Sequence, residues 1–279
     1  MFSSAGVGCY GFKLNGFECI ATNELLDARM AVQKANHKCK YESGYIGGDI
    51  AAEDTHKRLF NEIDMWKEKE GISQVDVVFA TPPCQGMSTA NYKKADNEQV
   101  RNSLVVQAVK LISLIQPKIF IFENVRAFMN TVCTDTDGTD KPIGESILNN
   151  LSNRYNIFYR VINFKDYGVP SSRPRTVVIG TNKEFVGLSP LSLFPSRHKE
   201  ITLRKAIGDL PALGYCQKDV ADYLHFARPF PLEQLDWIKF LKEGQSAFDQ
   251  PVEYQPGHYD QNGNKVVNKG AYMGNKYRR

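Results

Sequence analysis

The sequence predicts an α/β fold, a doubly wound, mostly parallel sheet with helices on both faces, followed by a partial second lobe. Three observations predict it. Short apolar runs alternate with segments of helical period through the first two thirds of the chain. The runs are continuous rather than alternating, as strands buried on both faces are. Polar residues able to do chemistry follow directly on those runs, where open sheets of this kind bind ligands.

Taken in order, residues 17–22 read as a short buried strand and 24–36 as a helix. A strand ending near Asp49 is expected third. Residues 75–81 (VDVVFAT) form a continuous apolar run stopped by Pro82 and Pro83. Leu104, Val105, Ala108, Leu111, Ile112 and Ile115 repeat at helical spacing, so 102–115 is a helix that Pro117 closes. Ile119 to Phe122 is the next buried strand. A further helix is expected over 145–155, then strands over 157–164 and 176–181 around a Gly168-Val169-Pro170 turn. From about Ser189 prolines recur, and one helix is expected over 232–242. The domain division expected is residues 1–188 and a Pro-rich extension, 189–279. The segment from Asn264 to Arg279 holds Lys265, Lys269, Lys276, Arg278 and Arg279 and no acid.

Composition excludes several classes of function. The 279 residues are 42% hydrophobic and 24% charged, which is ordinary for a globular chain and rules out wholesale disorder. The net charge of +4 is too weak to announce a nucleic-acid partner in bulk, so such a partner must be argued from local residues. No apolar run reaches the roughly 18 residues of a membrane helix, and the first residues lack the apolar core of a signal peptide. The six cysteines form no CxxC pair, and a chain of this size folds without disulfide staples. A reduced, soluble, cytoplasmic protein is expected.

Four segments carry chemistry. Residues 2–12 (FSSAGVGCYGF) are small enough to bring backbone close to a ligand, ahead of a helix whose N–H groups could meet it. Alone, such a loop reads equally as an ordinary strand–helix turn. Glu24 comes eighteen residues after Gly6, where an acid binds ribose hydroxyls, and Asp49 could accept from an adenine amino group. Together the three favour a nucleoside-containing cofactor. Cys84, in Pro82-Pro83-Cys84-Gln85, sits on a rigid support just past a strand, which suits a nucleophile better than a buried apolar cysteine. The polar stretch 91–101 could bring Lys93, Lys94 and Arg101 to phosphates, or be a solvated loop. Glu123 emerges from the IFIF strand, where a carboxyl is partly desolvated and its protonated form favoured, or it is a surface acid at a strand end. Arg173 and Arg175 lie between two strands, as an exposed pair or with one turned inward as a donor.

In this order the segments resemble the C5-cytosine-specific DNA methyltransferase family. FSSAGVGCYGF resembles its cofactor loop, Asn23-Glu24 and Gly48-Asp49-Ile50 its ribose and adenine contacts, and PPCQGMS at 82–88 its nucleophile motif. RNSL at 101–104 resembles the end of its catalytic loop, ENV at 123–125 its acid motif and GVPSSRPRTVVIG at 168–180 its arginine motif. The resemblance implies an S-adenosylmethionine-dependent, Rossmann-like fold and methyl transfer to C5 of a flipped cytosine in double-stranded DNA, as in restriction-modification systems, with no metal. It implies Cys84 as nucleophile, Glu123 as acid, Arg175 on the base carbonyl and Arg173 beside it. Phe2, Gly6, Glu24, Asp49, Ile50, Pro83 and Leu104 are implied for the cofactor, and Gln85, Ser88 and Arg101 for DNA. Ser4, Val7 and Thr81 replace customary glycines, and Ser171 a glutamine. The resemblance also implies a central strand clipped ahead of Phe2, and a target-recognition region beyond Arg279 that a second polypeptide could carry. Transfer RNA as substrate, and a non-catalytic homologue, are the alternatives.

Overall fold

The computed structural model describes residues 1–83, 102–229, 231–232, 235–242 and 245–268. Two compact units divide the chain, Met1–Ala206 and Ile207–Arg279. In the first, β1 (Thr22–Glu24) pairs in parallel with β2 (Tyr45–Gly47). A second sheet holds β3 (Val77–Ala80), β4 (Ile119–Asn124), β7 (Tyr155–Asn163) and β8 (Pro174–Asn182) in the order β3-β4-β8-β7. The β3–β4 pair is parallel, whereas β8 runs antiparallel to both β4 and β7. The α/β class expected from the sequence holds, and its sheet is mixed. Strands β7 and β8 follow each other through a short turn, which only an antiparallel pair allows.

The helices of this unit are α1 (Tyr10–Leu14), α2 (Asp27–Ala35), α3 (Glu53–Glu70), α4 (Leu104–Ile115), α5 (Ile143–Leu151) and, near its end, α6 (Leu203–Ile207). They cover both faces of β3. Phe79 packs on Phe12 of α1, with ring centres 5.9 Å apart. Ala80, on the opposite face, belongs to the main core with Val105, Ala108, Val109 and Ile112 of α4 and with Ile143, Ile147 and Leu151 of α5. Phe120 and Phe122 bring β4 to the same core. Gly180 lies in register with Phe120, and a Cβ there would sit 2.0 Å from the ring, so only glycine lets β8 close on β4.

The long helix α3 had no counterpart in the sequence reading. It buries Thr55, Leu59, Glu62, Ile63 and Trp66 on one stripe, two of them polar, so its apolar signal is thin. Trp66 donates to Glu62 at 3.1 Å, which satisfies both polar groups inside that stripe. A hairpin of β5 (Val132–Thr134) and β6 (Asp140–Pro142) was likewise not foreseen. The strand expected over 17–22 starts later, at Thr22, where pairing with Tyr45 begins. In the second unit, the helix expected over 232–242 is α7 (Leu235–Ile238). A bond from the Leu241 N–H to the Ile238 carbonyl tightens the chain there and ends it. That unit also holds the hairpin β9 (Gly257–Tyr259) with β10 (Lys265–Val267) and a small cluster of Leu241 and Ala247.

Besides the apolar cluster packed between them, the β1–β2 pair and the sheet of β3 and β4 are bridged by the Met1–Ser3 backbone. The Met1 amino group donates to the Phe79 carbonyl at 2.8 Å and the Thr81 N–H donates to the Met1 carbonyl at 3.3 Å, together the bond pair of a parallel bridge to Ala80. Two residues on, the Ser3 N–H donates to the Asn23 carbonyl at 3.0 Å. Below this bridge lies a cavity of about 890 Å³, lined by Cys19 to Thr22 on one side and Gln74 to Phe79 on the other.

Burial, followed by the positive charge of Lys38, lowers the Met1 amine from its ordinary 8.0 to about 6. An amine whose folded value is depressed binds fewer protons folded than unfolded, so stability rises with pH between those two values. A two-unit depression corresponds to about 3 kcal/mol, absent below pH 6 and fully present above pH 8. Acetylation of the amino terminus, which keeps an N–H for Phe79 and removes the charge, is expected to abolish this component. Urea unfolding at pH 6 and pH 8, with and without acetylation, measures it.

Candidate active site

The carboxyl end of β4 brings an acid and an arginine together. Glu123 lies opposite Val177 in the β4–β8 register, and Arg175 is two residues further on the same face. Such diagonal neighbours lie about 7–8 Å apart at the backbone, within reach of two long side chains. The Arg175 Nε sits 3.2 Å from Glu123 Oε1, with side-chain exposures of 17% and 25%. The carboxyl expected to be partly desolvated at the end of the IFIF strand is one half of a partly buried ion pair. A second Arg175 nitrogen, Nη1, donates to the Pro174 carbonyl at 2.8 Å, which holds the guanidinium plane. Arg173 is exposed, and its backbone fixes the turn: its N–H donates to Asn163 Oδ1 at 2.9 Å and its carbonyl accepts from the Phe164 N–H at 3.2 Å.

The next residue of β4 ties this end to the Pro-Pro segment. Asn124 is buried, and its Nδ2 donates to the Pro82 carbonyl at 2.9 Å while its Oδ1 accepts from the Val125 N–H at 2.8 Å. Pro82 is buried and Pro83 half-buried. The backbone that leads into residue 84 is thus anchored one residue from Glu123. Cys84 itself, with Gln85, Ser88 and Arg101, lies outside the described residues.

The residues expected at a nucleoside-containing cofactor gather at the carboxyl ends of β1 and β2 and around the loop after Met1. Glu24 is the last residue of β1 rather than the first beyond it, and it is 5% exposed. Its Oε2 accepts from the Ser4 N–H at 2.7 Å, its Oε1 accepts from the Leu26 N–H at 3.2 Å, and Arg29 lies 3.5 Å away. Asp49 sits two residues past β2, which stops at Gly47 because Gly48 turns back with φ +122°. Asp49 is exposed and its Oδ1 accepts from the Ala51 N–H at 2.9 Å. Ile50 is buried in a cluster with Leu59, Ile63 and Leu111, and both Phe2 and Leu104 pack against that cluster. Thr81, where a glycine is customary, donates its hydroxyl to the Phe2 carbonyl at 2.9 Å and so draws the loop onto the Pro-Pro segment. Gly6 has φ +87°, and a Cβ there would meet Gln33 Cγ at 3.2 Å, so its lack of a side chain serves packing inside the loop.

A polar network behind the loop escaped the sequence reading. Gln33 of α2 is 1% exposed and donates from Nε2 to Ser3 Oγ at 2.8 Å and to the Ser4 carbonyl at 2.5 Å. Lys38 donates to Thr22 Oγ1 at 2.8 Å and to Gln33 Oε1 at 3.0 Å. Ser3 Oγ donates to the Asn23 carbonyl at 2.9 Å. The available signal was a glutamine on the buried side of an amphipathic helix, which needs polar partners wherever it is placed. The 890 Å³ cavity is lined in part by this same network, through Ser3, Thr22, Gln33 and Lys38. It includes Gly6 but not Phe2, Glu24, Asp49, Ile50, Pro83 or Leu104.

Comparison with known proteins identifies the assembly. A family model for the C-5 cytosine-specific DNA methylases matches residues 1–231. The chain belongs to that family. This methylase chain is 29% identical to the Type II methyltransferase M1.HgaI of Avibacterium volantium, over 91% of its own length and 67% of the relative's. It is also 29% identical to the Type II methyltransferase M.XorII of Xanthomonas oryzae, over 86% of its own length and 49% of the relative's. The chain spans about half to two thirds of the length of these curated relatives. Among solved structures, a chain assigned as a DNA modification methyltransferase encoded within an E. coli prophage superimposes with a TM-score of 0.54 at 23% identity. That match covers 78% of this chain and 56% of the other, and it is a likeness of fold.

The loop after Met1 carries a local strain that a substitution can read. Ser4 is exposed and has φ +49°, a left-handed conformation that costs an L-residue about 1–2 kcal/mol and glycine almost nothing. Ser4→Gly is expected to stabilise the chain by up to about 1 kcal/mol, after the greater unfolded-state freedom of glycine is subtracted. Ser4→Ala, which keeps the strain, is expected to change stability by less than about 0.5 kcal/mol. Urea unfolding of the two variants checks the difference.

Proposed function

We propose that this chain is the catalytic portion of a DNA cytosine-5 methyltransferase that acts on a flipped cytosine, with S-adenosylmethionine as methyl donor. Residues 1–188 supply the machinery for cofactor and base. The observation that carries this reading is the Glu123–Arg175 pair at the end of β4, beside the Pro82 carbonyl that Asn124 holds. Family membership supports the same chemistry.

The residues fit the cofactor. Ribose hydroxyls need an oriented acceptor, and Glu24 is a buried carboxylate already held by two backbone N–H groups. Asp49 offers an exposed carboxylate that would accept from an adenine amine. Phe2, Pro83 and Leu104 would offer half-buried apolar side chains to the purine, with the buried Ile50 packed behind Phe2 and Leu104, and Gly6 shapes the loop. S-adenosylmethionine, when bound, supplies an electrophilic methyl group on a sulfonium centre.

The base is handled by the protein's own groups. The Cys84 thiolate adds to C6 of the cytosine, a poor electrophile that calls for a soft, strong nucleophile able to leave again. Arg175 has five N–H groups; one bonds the Pro174 carbonyl while the guanidinium pairs in charge with Glu123, which leaves donors for the base carbonyl O2. Glu123 uses Oε1 on Arg175 and turns Oε2 to N3 and the exocyclic amine, where a proton offsets the charge that develops on the ring. Arg173 stiffens the turn that carries Arg175. Once C5 carries the methyl group, loss of its proton lets the sulfur leave. Gln85, Ser88 and Arg101 meet the DNA around the flipped base. Such an enzyme works inside the cell, where its thiols stay reduced.

The test is transfer of labelled methyl groups to DNA, by the chain alone and with a candidate second polypeptide carrying a target-recognition region. Transfer in neither arm, or equal transfer to tRNA, would count against the reading. Cys84→Ser is expected to abolish transfer with the fold unchanged by circular dichroism. Arg175→Ala is expected to lower the rate about a hundredfold or more, as loss of a preorganised donor does. It should change stability by no more than about 1 kcal/mol, since the pair is partly solvated.

A further inference from the structure

Methyl transfer makes no use of two thiols at the edge of the cavity between β1 and β3. Cys19 and Cys39 face each other across an isolated parallel bridge, ahead of β1 and β2 respectively, with sulfur atoms 3.6 Å apart. Both are free thiols. They differ in access: Cys19 is half-buried and lines the cavity, whereas Cys39 is 7% exposed and lies outside that lining.

Their surroundings divide the roles further. The hydrogen bond from Cys39, followed in sign by the charges of Lys38 and the Met1 amine, lowers the Cys19 thiol from 9.0 to about 7 against the opposing effect of burial. The same bond and burial push Cys39 far up, so it stays the proton-bearing partner. The reactive form of a cysteine is its thiolate, and an accessible low-pKa thiol beside a second thiol is the usual build of a reversible redox site.

We propose that Cys19 and Cys39 form a peroxide-sensitive dithiol, in which Cys19 is oxidised and Cys39 closes a disulfide between the segments that lead into β1 and β2. Hydrogen peroxide is the oxidant. The Cys19 sulfur attacks one peroxide oxygen, the O–O bond breaks, and the departing hydroxide takes the thiol's proton to form water. Cys39 then attacks the resulting sulfenic sulfur, the S–O bond breaks, and the hydroxyl leaves as water with the Cys39 proton. Two thiols lose two electrons and one peroxide becomes two waters. The cross-link closes a loop that contains β1, Glu24 and α2, and it ties β1 to β2 at their amino ends. The chemistry is independent of methyl transfer.

The full-length chain treated with stoichiometric hydrogen peroxide, alkylated and analysed by peptide mass spectrometry, is expected to yield the Cys19–Cys39 linked peptide as its main disulfide. Oxidised chain should melt about 5–10 °C higher than reduced chain, as closure of a loop this long predicts. In Cys39→Ser the Cys19 sulfenic acid should accumulate and be trapped by dimedone. In Cys19→Ser, oxidation at Cys39 should slow at least tenfold. A Cys9–Cys19 peptide as the main product, or Cys39 oxidised at an unchanged rate in Cys19→Ser, would overturn the proposal. So would sulfenic Cys19 that never closes onto Cys39 in the unsubstituted chain. If Cys39→Ser does not fold, Cys39→Ala serves the same trapping arm.

Discussion

The β1–β2 pair and the sheet of β3 and β4 share one frame through the backbone bonds of Met1 and Ser3 and through the apolar cluster of Ile46, Ile50, Leu59, Ile63, Val75 and Leu111. Met1 bonds β3 through Phe79 and Thr81, and Ser3 bonds β1 through Asn23, so the Met1–Ser3 segment stands where a strand between them would stand. Below it the walls are separate, and the cavity takes the place of a continuous ladder. Along β3 the bonds to β4 use alternate residues, so the peptide groups of Val77 and Phe79 face the cavity. The few bonds at the top therefore do what a full strand's ladder does elsewhere in the sheet. They do so with an amino group that burial disfavours in its charged form.

The loop that follows depends on that bridge. Ser3 turns its hydroxyl to Asn23 and receives Gln33, and Ser4 presents its N–H to Glu24. Each is a buried or half-buried polar group that would be costly without its partner. Lys38 closes the network from behind through Thr22 and Gln33. The left-handed conformations at Phe2 and Ser4 are the local cost of bending the chain from strand to loop within four residues.

Much of this was legible from the sequence. The IFIF run, the apolar helical spacing of 104–115 and the apolar stretches of the 155–182 hairpin were readable, and each appears within a residue or two of its expected limits. Helix α3 was not legible because Thr55 and Glu62 sit on its buried stripe, which breaks the apolar period that marks a helix. The mixed direction of the sheet follows from connection length, a weaker signal than periodicity. Glu123 and Arg175 were each singled out, but their contact was not. It arises from the β4–β8 register, and register across fifty residues of chain is set by tertiary packing around Phe120 and Gly180. The buried role of Gln33 was hidden for the same reason: its partners come from the loop thirty residues earlier.

On the proposed reading, the two halves of the site sit on different sheets. Glu24 and Asp49 belong to β1 and β2, whereas Glu123, Arg175 and the Pro-Pro segment belong to the sheet of β3 and β4. Methyl transfer needs donor and acceptor held at near-attack distance, and misplacement by about 1 Å can cost a hundredfold in rate. The alignment of the halves runs through Met1 with Phe79 and Thr81, Ser3 with Asn23, Thr81 with Phe2, and Asn124 with Pro82. None of these groups need touch the base or the methyl donor. The hydroxyl of Thr81 then has a role that a glycine there could not fill. It ties the Phe2 carbonyl to the residue that follows β3, one more constraint between the loop after Met1 and that strand.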